Sequence, residues 1–216
     1  MGDARIMAEA AVRGAMVPLS EAFDRKAPVT RTMLDDTSWV DVTRGFARSP
    51  GVLFEALVSQ ARWKQNRQIR GGRMVDDPRL VGRLADRKGA VALTLDRAGK
   101  LFAARYRARF GGCGLIQYRD GRDGIGLHRD LELKYLEHTI SIGLSLGGSR
   151  PFWLRPRYGG DVHEIILHSG DAYVMGGRCQ ADWMHGVPKV QEASAKVSAV
   201  WRWTSRRGPP EPQRRA

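Results

Sequence analysis

The rhythm of apolar positions changes near residue 112. Before it, SPGVLFEALVSQARW places Val52, Leu53, Leu57 and Val58 on one face of a 3.6-residue period. With Ser49 at the N-cap and Pro50 at the first helical position, the stretch predicts a helix. PRLVGRLADRKG predicts a second, shorter helix ending at Gly89, and LDRAGKLFAARYRARF a third, interrupted by Gly99. After residue 112 the pattern turns to short apolar runs: GLIQYRD, TISIGLSLGG, RPFWLRPR, HEIILHSG, DAYVMGG and KVSAVWRWTS. Each is strand-length, and Gly, Asp, Ser or Pro separates them about every ten residues. Helices followed by many strands predict a mainly β chain with N-terminal helices (α+β) around a double-stranded β-helix, or jelly-roll, core. Trp201 and Trp203 fall on the strand face opposite Arg202 and are expected to pack against those helices.

The ends read differently. Residues 1–33, with weak helical patterning in AEAAVRGAMV, predict a flexible arm. SRRGPPEPQRRA has almost nothing to bury, so 206–216 are expected to form a disordered basic tail. Between them, residues 34–205 form a single expected domain.

Charge adds a partner. The 36 Lys and Arg against 23 Asp and Glu give a net charge of +13, an excess that fits a polyanion such as nucleic acid. Cys113 and Cys179 stand alone, outside any C-x-x-C, which argues against a disulfide framework or structural zinc and fits a reducing cytoplasm. No apolar run approaches the ~18 residues of a membrane span. The opening MGDARIMAEAAVRGAMV is too broken by Arg and Glu for a signal peptide. A cytoplasmic monomer is the expectation.

Chemistry enters at GIGLHRDLE. Five histidines and 23 acids in 216 residues yield roughly half a His-x-acid match by chance, so the motif alone is weak. In a strand, His128 and Asp130 would project to one face and Arg129 to the other. A distant histidine would then complete a two-His-one-carboxylate triad, which leaves metal positions open for co-substrate and dioxygen. His138, His163, His168 and His185 are the candidates by spacing.

Larger blocks narrow the choice. QYRDGRDGIGLHRDLE, ISIGLSLGGSRPFWLRP, SGDAYVMGGRCQADWMHGVPK and KVSAVWRW, in this order, resemble the AlkB family of iron(II)- and 2-oxoglutarate-dependent dioxygenases. LDDTSWV and ARWKQNRQIRGGRMVDDPRL resemble its entry segment and substrate lid, here about 62–80, ahead of a core of about 112–205. The resemblance implies His128, Asp130 and His185 as iron ligands. It implies Tyr118, Lys196 and Arg202 around 2-oxoglutarate, with lysine where the family has the first of two arginines. Lysine offers one-point geometry where arginine offers a fork, which would reshape co-substrate binding.

The resemblance also implies hydroxylation of a C–H bond with Fe(II), 2-oxoglutarate and dioxygen, most often on N-alkylated DNA or RNA bases. Trp63, Arg67, Arg70, Arg73, Leu131 and Glu132 are the expected substrate contacts, and Arg79 a further basic residue near the lid. Three positions depart from the family pattern. Arg70 and Gly71 replace a lid Met-Tyr pair, Leu131-Glu132 replaces Asp-Glu, and Ile116 replaces an asparagine. These departures leave two alternatives: the same chemistry on a protein or small metabolite, and a catalytically decayed nucleic-acid-binding module.

Overall fold

The computed structural model describes residues 21–204. The chain opens with β1 (Val29–Met33) and β2 (Ser38–Thr43), followed by helix α1 (Pro50–Gln60). A long hairpin, β3 (Ala61–Arg70) and β4 (Arg73–Leu84), precedes helix α2 (Ala90–Tyr106). Then come β5 (Gly114–Tyr118), β6 (Ile125–His128), β7 (Thr139–Gly147), β8 (Arg150–Pro156) and β9 (His163–Leu167). The chain continues through β10 (Ala172–Gly177), the short helix α3 (Cys179–Asp182), β11 (Trp183–Val187) and β12 (Lys196–Thr204).

The strands form two antiparallel sheets, ordered β1-β2-β10-β7-β12-β5-β4-β3 and β6-β11-β8-β9. The large sheet is covered on both faces, which is why β7 is buried along nearly its whole length. On one face Leu53 and Leu57 of α1 and Leu95, Ala98 and Phe102 of α2 pack against Ile142, Leu144, Ala199 and Trp201. On the other, Val40, Tyr118, Tyr173 and Met175 meet Phe152, Leu154, Trp183 and Val187 of the small sheet. This second interior is the jelly-roll core, and the site lies within it.

All six strands predicted after residue 112 form, as do the first and third helices. Gly99 does not interrupt α2; it gives clearance, since a Cβ there would stand 3.0 Å from the indole nitrogen of Trp201. The predicted helix over PRLVGRLADRKG does not form. Its first half is the end of β4, paired with both β3 and β5, and Gly89 is instead the N-cap of α2. Two-sided pairing satisfies the backbone there and overrides the helical spacing of Leu80, Val81 and Leu84. Pro78, which cannot donate to a ladder, sits where the β3–β4 register shifts between Gln65 and Arg67.

The predicted flexible arm is overturned over its described part. Phe23 is buried and stacks on Phe46 at 5.0 Å, β1 pairs along β2, and Arg31 binds Asp41 at 2.7 Å. The weakly helical stretch and the basic tail lie outside the described residues.

The hairpin turns at Gly71 and Gly72, with φ of +55° and +76°. Two consecutive positive φ values belong to a type I′ turn, whose twist matches the flanking strands and which glycine enters without strain. The Arg70-Gly71 departure in the lid thus has a local cause: this chain uses those positions to reverse direction.

Candidate active site

His128 ends β6 and His185 lies in β11, and the two are register partners across an antiparallel pair with rings 4.4 Å apart. Asp130 lies past the end of β6, which corrects the expectation of a shared strand face. A turn carries it inward, where its N–H donates to Oε1 of Gln180 at 2.8 Å and its Oδ2 accepts from Nε2 of Gln180 at 3.2 Å. Arg129 does not face away either: it lines the cavity and donates to the Ala181 carbonyl at 3.2 Å. Gln180 was not singled out by sequence reasoning; only its place inside the QADWMH block marked it.

One potential ligand atom from each of His128, Asp130 and His185 lies within 4.8 Å of the others. Among the described residues this is the one such group of three, so the structure unites the triad that spacing alone left open. His163 instead meets the Trp183 ring edge-on, His138 meets Trp203, and His168 stands 3.6 Å from Asp171.

The donor chemistry fits a divalent iron. Nδ1 of His128 lies 2.9 Å from the Gly126 carbonyl, a partner that fixes the proton there and leaves Nε2 free for a metal. Burial pushes His185 down to about 3, so its imidazole is neutral at physiological pH. Burial opposes ionisation of Asp130, but the charge and hydrogen bond of Arg202 hold its carboxyl below the usual range. Two imidazoles and one carboxylate form the facial set suited to Fe(II) with open positions.

A cavity of about 220 Å³ opens over the triad, lined by Tyr118, Tyr173, Phe152, Ser198, Arg79 and Arg202 among others. Arg202 donates from Nε to Asp130 Oδ2 at 2.6 Å, and Glu132 stands 3.7 Å away. Tyr118 is buried, and burial pushes its phenol up to about 12 against the opposing charges of Arg79, Arg150 and Arg202. It therefore stays a protonated donor at neutral pH.

Lys196 pairs with Tyr118 across β12 and β5, but its amine is turned to the Ser145 hydroxyl and it does not line the cavity. It is 1% exposed, and burial with the charge of Arg150 pushes it down to about 7. The unfolded chain, with an ordinary lysine near 10.5, binds more protons between about pH 7 and 10.5. The ligand-free protein should therefore gain stability as pH rises through that window. Lys196→Met is expected to raise the melting temperature more at pH 7 than at pH 10, a difference thermal unfolding at both values would measure. An equal change at both would remove the account of this lysine.

The expected substrate contacts scatter. Trp63 is not a lid residue facing the cavity: its indole donates to the Val58 carbonyl at 3.1 Å and its ring packs with the helix-side core. It is the only aromatic in the hairpin, and residues 58–63 use it to brace the hairpin base. Leu131 is 64% exposed and outside the cavity wall, whereas Glu132 lines it. Arg67 pairs with Asp76 at 3.1 Å and Arg73 is exposed, both on the hairpin; Arg70 is the last residue of β3.

Comparison with known proteins bears on this geometry. Residues 79–209 match the model of the 2OG-Fe(II) oxygenase superfamily. The chain belongs to this superfamily. It is also similar to the alpha-ketoglutarate-dependent dioxygenase alkB homolog 3 of Mus musculus and of Homo sapiens, 36% identical over 81 residues in each case. Those matches cover 33% of this chain and only 28% of either relative. Among solved structures, a 2OG-Fe(II) oxygenase family oxidoreductase from Burkholderia pseudomallei aligns with a TM-score of 0.54 and 16% identity, over 76% of this chain and 84% of that one. OsALKBH1 aligns with a TM-score of 0.52 and 12% identity, over 81% of this chain and all of that one. These two likenesses are of fold. Among the described residues no helix is long and apolar enough to cross a membrane.

Proposed function

We propose that this oxygenase removes alkyl groups from nucleic-acid bases by oxidation. The observation that carries the reading is the placement of the triad's cavity beside a basic hairpin. β3 and β4 bring Arg62, Lys64, Arg67, Arg70, Arg73 and Arg83 onto one projecting element, in a chain of net charge +13. Cations on a projecting ribbon suit phosphate contact. At its tip Ile69 and Met74 are cross-strand partners, 70% and 53% exposed. An exposed apolar pair among arginines suits insertion against unstacked bases, as in proteins that wedge apolar side chains between base steps. The likeness to alkB homolog 3 supports the same reading.

In this proposal His128, Asp130 and His185 hold iron(II), with Tyr118 and Arg202 facing 2-oxoglutarate. The bound metal, with 2-oxoglutarate and dioxygen, supplies the power to hydroxylate a C–H bond, yielding succinate and CO2. The chain's residues do the rest. Arg202 neutralises Asp130 and orients it, while the apolar walls of Phe152, Ile125 and Val187 exclude water. A hydroxylated N-methyl group then collapses to formaldehyde and the free base. Residues 34–205 are proposed as the catalytic domain.

A panel of methylated single- and double-stranded DNA and RNA oligonucleotides, read by mass spectrometry, tests the substrate. Loss of the methyl group with stoichiometric formaldehyde is expected on at least one. Steady succinate production with every oligonucleotide unchanged would sink the base-dealkylation reading. It would favour the second reading, a non-nucleic substrate, for which the inward aromatic missing from the hairpin is the specific support.

A further inference from the structure

We infer that Arg79, on the lid strand, binds the far carboxylate of 2-oxoglutarate, so that the anchoring cation comes from β4 rather than from the closing strand β12. The inference rests on the iron(II)/2-oxoglutarate chemistry and is independent of the substrate's identity.

Local structure aims Arg79 inward. The β3–β4 ladder passes from Gln65↔Leu80 to Arg67↔Asp76, leaving Asp77, Pro78 and Arg79 opposite the single Asn66. A bulge of this kind re-aims side chains, and here it turns Arg79 into the wall of the triad's cavity. Leu80 pairs with Gln117 of β5, so Arg79 is level with Tyr118. Its charge acts on that phenol more strongly than those of Arg150 and Arg202.

Arg79 is also unsatisfied. Its Nε is buried without a hydrogen-bond partner, and no ion pair to it occurs among the described residues. A buried guanidinium N–H that lines a cavity and lacks an acceptor is costly unless a ligand provides one. The other cations nearby are engaged. Lys196 is turned to Ser145, and Arg150 donates to the carbonyls of Asp120, Asp123 and Pro188. Arg202 is bound to Asp130 at the metal end. Arg129, the third arginine on the wall, donates to the Ala181 carbonyl. The cavity therefore presents Arg202 at the Asp130 end and Arg79, whose Nε lacks an acceptor, at the Tyr118 end, which matches a ligand with a carboxylate at each end. A guanidinium fork and a phenol O–H together suit the far one. Because Arg79 belongs to the hairpin, filling this site ties the lid to the core before a substrate arrives.

The test compares 2-oxoglutarate with pyruvate, which keeps the 2-oxo acid end and lacks the far carboxylate. Binding of each to the anaerobic iron(II)-loaded protein is measured by calorimetry for wild type, Arg79→Ala, Arg79→Lys and Lys196→Met, with melting curves confirming that each variant folds. Arg79→Ala should weaken 2-oxoglutarate by at least about tenfold, the loss of one charge-assisted contact. Pyruvate binding should be unchanged, Arg79→Lys should retain part of the preference, and Lys196→Met should retain most of it. Three outcomes overturn the inference: unchanged 2-oxoglutarate affinity in Arg79→Ala, equal losses for both acids, or loss of the preference in Lys196→Met alone. Raised oligonucleotide KM with intact 2-oxoglutarate affinity would likewise reassign Arg79 to the substrate. Failure of the wild type to bind 2-oxoglutarate would refute the co-substrate chemistry itself, and the inference with it.

Discussion

Asp130→Ala is expected to abolish turnover, by at least about a thousandfold, on a scale where each factor of ten in rate is 1.36 kcal/mol. Three independent roles meet in this carboxylate. It is the anionic member of the triad, the acceptor for Arg202 at 2.6 Å, and the acceptor for Nε2 of Gln180 at 3.2 Å. Removing it takes one of the three proposed ligands and the only negative one among them, so iron affinity should fall with activity. It also leaves Arg202 with only the distant, mostly exposed Glu132 at 3.7 Å. The released guanidinium would then add positive charge beside two imidazoles and repel a cation further. Asp130→Asn separates these effects: it keeps the shape but not the charge and should recover part of the stability while remaining inactive. Iron content by elemental analysis and 2-oxoglutarate turnover, measured on both variants, check the pair. An Asp130→Ala protein that keeps iron and turns over normally would contradict the assignment.

Arg150→Ala is expected to have the largest effect on stability. Arg150 is fully buried and donates to the carbonyls of Asp120, Asp123 and Pro188 at 2.9, 2.6 and 2.7 Å. These hold the β5–β6 loop, which precedes His128, to the segment that follows His185. Without the guanidinium, three carbonyls lose a charged donor and a large volume is left empty. Breaking such a buried network costs about 3–5 kcal/mol, enough to lower the melting temperature by about 6–20 °C for a domain of this size. Chemical unfolding gives the number directly. Arg150→Met, which refills the volume but not the hydrogen bonds, should recover only part of it. A loss below about 1 kcal/mol would show that water replaces the side chain without cost.

The parts of the fold legible in the sequence were those fixed by local pattern. β7, β8, β10 and β12 are alternating or continuous apolar runs bounded by glycine or polar residues, and α1 and α2 carry one-sided apolar faces. β3 and β4 were not legible as strands, because β4 buries only Asp77 fully and their order comes from pairing with each other and with β5. β1 is exposed along its length and is a strand only because β2 lies beside it.

The site divides the same way. His128, Asp130 and His185 could be named because their blocks carry a family resemblance, although spacing alone left four histidines open. In the sequence Arg79 reads only as one more basic residue near the lid, alongside Arg67, Arg70 and Arg73. The bulge that separates it from them is a property of the β3–β4 register that no single-chain pattern displays. Trp63 was misplaced for a related reason, since a lone aromatic in a lid sequence carries no sign of which face it takes.

Iron and 2-oxoglutarate uptake under anaerobic conditions test the central claim most directly. Equilibrium dialysis of the wild-type chain should give one iron(II) per chain, with 2-oxoglutarate binding tightened by the metal. His128→Ala, Asp130→Ala and His185→Ala should each lose that iron while remaining folded. A wild type that takes up no iron, or three variants that all keep it, would contradict the account.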